Sequence, residues 1–160
     1  MTIALTLERY LDAKNAEYDV IAHPPTHSSG ETVEVCHIPG DRLAKAVVLR
    51  DETGYALAVL PASHHIRLSE LRRQFGDDVS LATEREIAEL FQDCERGAVP
   101  AIGECYGLDM VVDDSIEEQP EIYFEGGDHS TLVHMTHAQF AKMTAASRHG
   151  SFSEHHWCNT

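Results

Sequence analysis

Residues 41–65, DRLAKAVVLRDETGYALAVLPASHH, read as two strands around a turn. Asp51-Glu52-Thr53-Gly54 supplies the turn chemistry between strands at 43–50 and 55–61. Alternate residues of a strand show opposite faces, so Leu43, Lys45, Val47 and Leu49 share one face. Ala44, Ala46, Val48 and Arg50 share the other. Both faces are mostly apolar, which predicts a strand covered on both sides. Lys45 interrupts this pattern, in a chain with only 3 lysines. Two readings fit it. Its stem can lie along apolar surface while the amine reaches the rim. Alternatively, it is a cation at the wall of a cleft, placed to meet a substrate carbonyl or phosphate.

Around this hairpin, helices are predicted at 4–16, from Ser28 onward, at 67–75, 84–91 and 136–146. In the first, Leu5, Leu7, Tyr10 and Leu11 make the apolar stripe. Ser28 and Glu31 have capping-box spacing, and Thr83 caps EREIAELF. Further strands are expected at 18–23, 79–83, 109–114, 121–127 and 130–135. There is no strict βαβ alternation. The fold class expected is therefore α/β of the α+β type: a mixed, largely antiparallel sheet surrounded by helices. One domain over residues 1–146 is expected, with 147–160 (SRHGSFSEHHWCNT) as a loosely held tail.

The 160 residues are enough to bury a core, and no apolar run is long enough to span a membrane. The N-terminus meets acidic residues too early for a signal peptide, so a cytoplasmic protein is expected. Cys36, Cys94, Cys105 and Cys158 form no CxxC pair and read as reduced thiols. A formal charge of −15 opposes a broad phosphate-binding surface and argues against DNA. Any nucleic-acid partner must be held locally. Arg42 and Arg50 flank Lys45, and Arg67, Arg72 and Arg73 cluster on one helix, so a small positive rim is expected.

Nucleotide-loop, zincin and nucleophile-elbow motifs are absent. His23 and His27 are separated by a proline-rich loop. His64-His65 point apart on a strand end, and His155-His156 fall in the tail, so no metal site is expected. GAVPAIG, from Gly97 through Pro100 to Gly103, can bring backbone N–H groups to an oxyanion, although an ordinary turn explains it as well. In GGDHS (126–130), Asp128 and His129 could form a hydrogen-bonded pair, and turn chemistry alone also accounts for the aspartate.

Taken in order, H-P-P-x-x-S-S-x-E (23–31), L-A-K-A-V-V-L (43–49), A-V-L-P (58–61), G-A-V-P-A-I-G (97–103), V-V-D-D-S (111–115), I-Y-F-E-G-G (122–127) and L-V-H-M (132–135) resemble the YbaK/ProX family of aminoacyl-tRNA deacylases. Related domains are inserted in bacterial prolyl-tRNA synthetases. The resemblance spans about residues 5–143. It implies hydrolysis of the ester between a wrongly attached amino acid and the tRNA 3′ end, acting in trans, with no metal or organic cofactor. The family's essential lysine falls on Lys45, its glycine loop on Gly97–Gly103, and its pocket entry on His23 to Glu31, which includes Ser28. The implied partners are the acceptor end of aminoacyl-tRNA and an aminoacyl-tRNA synthetase. This chain departs from the family in two places. Many members read G-x-x-S-P-x-G, whereas Pro100 here stands one place earlier, behind Val99. Ala46 occupies a position that is often threonine or asparagine. A competing expectation is a module that kept the fold, lost catalysis, and binds a small ligand or a protein.

Overall fold

In the computed structural model, which describes residues 3–156, ten strands and five α-helices follow one another in a mixed order. The chain runs α1 (Leu5–Ala13), β1 (Asp19–Ala22), α2 (Ser29–Cys36), β2 (Ala44–Asp51), β3 (Gly54–Pro61) and β4 (His64–Ile66). It continues with α3 (Leu68–Phe75), β5 (Ser80–Leu81), α4 (Glu84–Leu90), β6 (Asp109–Asp113) and β7 (Glu121–Glu125). The last elements are β8 (Thr131–Thr136), α5 (His137–Met143), β9 (Arg148–Gly150) and β10 (Ser153–His155).

The β2–β3 hairpin forms as the sequence predicts, because Asp51 Oδ1 accepts from the Thr53 and Gly54 amides at 2.8 and 3.1 Å. It sits within a five-stranded sheet ordered β5-β2-β3-β6-β9. Pairing is antiparallel from β5 to β3 and parallel from β3 to β9. A second sheet, β1-β8-β7, is wholly antiparallel and joins the first through a bridge between Leu43 and Tyr123. β4 and β10 make a separate antiparallel pair.

Both faces of the hairpin are covered. Ala44, Val48, Leu57 and Val59 pack with Leu7 and Leu11 of α1, Phe124, Val133 and Phe140. On the opposite face, Leu49, Ala58 and Leu60 pack with Leu71, Val79, Val111 and Phe152. Fully burying one such side chain is worth about 1.5–3 kcal/mol.

Three expectations need correction. Leu5 is exposed, so the buried stripe of α1 is Leu7 and Leu11 with Tyr10 beside them. At α2, Ser28 Oγ accepts from the Glu31 amide at 3.2 Å, which is one half of a capping box, whereas Thr83 and Glu86 make both halves. The segment expected to hang loosely after Ala146 instead docks. Arg148–Gly150 pairs with β6, Ser153–His155 pairs with β4, and Phe152 is fully buried between them. Three residues per strand are too few to show a period. Cys158, in the same tail, lies outside the described residues.

Candidate functional site

β5 pairs with β2 only at Leu49 and Arg50, so the first half of β2 is an open sheet edge. The Val48 carbonyl points outward to the Ala82 amide at 2.9 Å. Strand alternation then directs the backbone polar groups of Ala46 outward too. Along this edge lies a cavity of about 320 Å³, at the small end of the range for ligand pockets. Its walls include Ala46, Val48, Ile87 and Val99, which are apolar, together with Lys45 and Glu125. Lys45 is the one basic side chain among the described lining residues.

The Lys45 side chain lies on the hairpin face that carries Val47 and Leu49, as alternation requires. Its Nζ donates to the His64 carbonyl at 2.6 Å, and burial lowers its pKa from 10.5. Lys45 lines the cavity, and its amine is held at the His64 backbone carbonyl.

Glu125, at the end of β7, is the functional group the sequence reading passed over. The residue is 9 % exposed and lines the cavity. Burial raises its pKa above the ordinary 4.5, and His23 and His129 oppose that rise in part. Thr32 Oγ1 lies 3.3 Å from Oε2, 2.6 Å from Thr26 Oγ1 and 3.0 Å from the Ser28 carbonyl. The single Thr32 hydroxyl proton is shared between Glu125 and the Ser28 carbonyl, whereas either hydroxyl can donate in the contact with Thr26. Oε1 of Glu125 and Nε2 of His23 are the buried side-chain atoms among the described residues that have no hydrogen-bond partner. Buried polar atoms are nearly always paired, so these two stand out. The sequence carries no local signal for Glu125: alternation puts Ile122 and Phe124 of β7 in the core and leaves Glu125 on the other face, where an acidic residue is ordinary.

The remaining candidates divide. Gly97 lines the cavity with φ +82°, and a Cβ there would stand 3.2 Å from His129 Cε1. Glycine is needed at that point for both reasons. His129 bonds the Arg96 carbonyl through Nε2, and its own carbonyl accepts from the Thr26 amide at 3.1 Å. The His23 amide donates to the Ser130 carbonyl at 2.9 Å, so the loops carrying His23 and His129 are laced together. His23 is buried, with Nδ1 donating to the Pro24 carbonyl at 2.8 Å.

Six candidates fall outside the cavity wall, His23 and His129 among them. Ser28 is a helix cap, and its neighbour Ser29 does the lining. Pro100 and Gly103 are buried, and Ala98, Ala101 and Ile102 around them are core residues. The second half of the glycine loop is therefore a plug, and Gly97 and Val99 are its cavity-facing part. The Asp128 carboxylate accepts from the Ser130 amide and Thr131 Oγ1, both at 3.0 Å, so it shapes the turn instead of pairing with His129.

The expected arginine rim does not assemble at the cavity mouth. Arg42 faces Glu121 at 3.8 Å, Arg50 faces Glu86 at 3.1 Å, and Arg73 faces Glu70 at 2.8 Å. Arg72 caps the Val79 carbonyl. Among the described residues one set has metal-binding geometry, Asp41 with His64 and His155, and it lies apart from this cavity's lining.

No helix among the described residues is long and apolar enough to cross a membrane. Comparison with curated proteins finds no match. Solved structures share the fold. One is a proposed trans-editing enzyme for prolyl-tRNA synthetase, 22 % identical with a TM-score of 0.83, over 94 % of this chain and 96 % of that one. A second is an epitope scaffold made by computational backbone grafting, 18 % identical with a TM-score of 0.82, over 94 % and 96 % of the two chains. A third is a proposed signal transduction protein from Marinobacter aquaeolei VT8, 21 % identical with a TM-score of 0.74. It aligns with 93 % of this chain but only 30 % of its own length, so there the fold is one part of a longer chain. At these identities the likeness is one of fold. The profile of the aminoacyl-tRNA editing domain matches residues 23–143, which take in Lys45, Gly97 and Glu125, and the chain belongs to that family.

Proposed function

We propose that this chain hydrolyses the ester of mischarged aminoacyl-tRNA, acting in trans on the acceptor end. The observation that carries the reading is one cavity lined by Lys45, by Gly97 and Val99, and by the buried Glu125, whose pKa is raised. An aminoacyl ester is already activated. The site has to supply a water, take its proton, and hold the charge that develops on the carbonyl oxygen.

A carboxyl raised by burial suits the proton transfers. Glu125, in its ionised form, takes the proton of the water whose oxygen attacks the ester carbonyl carbon. The tetrahedral oxyanion is met by the Gly97 and Val99 amides and by the Lys45 ammonium, which leaves the His64 carbonyl to do so, while the Ala98 amide stays bonded to the Glu95 carbonyl. Collapse breaks the carbon–oxygen bond to the ribose, and Glu125 returns the proton to the departing ribose oxygen. Water is consumed, and a free amino acid and an intact tRNA end are released.

The test is a deacylation screen of the purified chain over mischarged tRNAs. The reading expects release from at least one tRNA, with Glu125→Gln and Lys45→Met each slower by about a hundredfold or more. Binding of the acceptor end without release from any member of a full panel would favour a binding module. The Lys45–His64 bond is the observation on the side of that module.

A further inference from the structure

The two His-His dipeptides of the sequence are 91 positions apart, and the fold stacks one on the other. β4 and β10 pair antiparallel with His155 opposite His64 and Glu154 opposite His65. The rings of His64 and His155 lie 4.4 Å apart, centroid to centroid. Asp41, in the 3-10 turn Gly40–Arg42, completes the group, with Oδ1 3.4 Å from His155 Nε2. One ligand atom from each of the three residues lies within 4.8 Å of the others.

We propose that Asp41, His64 and His155, three ligands among the described residues, form a binding site for a divalent transition-metal cation of the zinc class. Two imidazoles and a carboxylate are the donor set such a cation takes, whereas magnesium and calcium prefer oxygens alone. Bonds of about 2.0–2.1 Å in a tetrahedron need donors about 3.3 Å apart. The Asp41–His155 pair already has that spacing. The orienting contacts are in place as well. Ser153 Oγ sits 2.9 Å from His64 Nδ1, which leaves Nε2 as the nitrogen to bind a cation, and Ser63 Oγ donates to Asp41 Oδ1. Such contacts fix the tautomer and ring plane of a ligand. A cavity of about 200 Å³, shared with Ser115 and Glu118, gives access for the cation and a fourth ligand.

The three donors come from segments that are distant in the chain, so the cation would staple the C-terminal strand pair to the lip of the hairpin. It would also fix the peptide whose carbonyl receives the Lys45 amine. The proposal stands whether or not the cavity hydrolyses an ester.

The experiment is calorimetric titration of zinc into the metal-stripped full-length chain, with thermal melting and cobalt absorption alongside. The expected result is one site per chain, a melting temperature raised by several degrees, and a visible ligand-field spectrum with cobalt. Asp41→Asn and His155→Gln should each weaken zinc at least about tenfold. His137→Gln, at a surface histidine beside Glu117, should bind as wild type does. Absence of binding would overturn the proposal. So would wild-type affinity in both Asp41→Asn and His155→Gln, or binding abolished by Cys158→Ser but kept by Asp41→Asn.

Discussion

Glu125 is held in the folded chain with a raised pKa, and this has consequences for stability as well as for activity. Between the ordinary carboxylate value of 4.5 and its folded value, the native state binds the proton and the unfolded state has released it. Stability contributed by this group is therefore full below 4.5 and is lost as pH rises through the folded value. Glu125→Gln removes that dependence. It should melt higher than wild type at pH 7 and much like it at pH 4, while activity falls. Melting curves at the two pH values check the sign. In the wild type, deacylation should fall as pH drops through the folded Glu125 value, because the ionised form is the base. Lys45→Met keeps the stem and loses the amine. It should lower the catalytic rate by about a hundredfold and cost about 1–3 kcal/mol for the lost charged hydrogen bond, read as kcat/KM and as melting temperature. Lys45 was legible in the sequence because a charge on an otherwise apolar strand face is conspicuous. Glu125 was not, because one carboxylate among 27 acidic residues carries no local signal, and only its burial distinguishes it.

At the scale of elements, the β2–β3 hairpin, the Thr83 cap and the helix–strand order were readable from local chemistry alone. The pieces that escaped are short and depend on distant partners. β4, β9 and β10 are three residues each, below the length at which alternation can be recognised. Their existence rests on Phe152, which is fully buried with Leu49, Leu60, Leu71 and Val111. Phe152→Ala should cost about 3–5 kcal/mol, or a melting temperature about 10 °C lower. Truncation after Ala146 should be at least as damaging. A truncated chain that melts like the full-length protein would show that the C-terminal strands are dispensable. The glycine loop was legible as a loop, but its division into a cavity-facing half and a buried plug was not. Pro100 and Gly103 look alike in sequence whether they face water or core.

On the scale of the whole molecule, a charge of −15 governs how a polyanion is met. Arg42, Arg50 and Arg73 are tied to carboxylates, which leaves Lys45 as the cation at the cavity wall. Few phosphates can then be neutralised, and binding of free tRNA should be weak. Its log–log salt slope should stay below about 3 in magnitude, because the slope scales with the number of phosphate contacts. A steep slope in a filter-binding titration would require a basic surface elsewhere. The central claim is that this cavity breaks an aminoacyl ester using only the end of the tRNA. The most direct measurement is single-turnover hydrolysis of a short acceptor-stem mimic, carrying the amino acid selected by the screen, with wild type and with Glu125→Gln. The account predicts that wild type cleaves the mimic nearly as fast as full-length tRNA and that the variant is slower by about a hundredfold. Equal rates for wild type and Glu125→Gln, or release only from full-length tRNA, would contradict it.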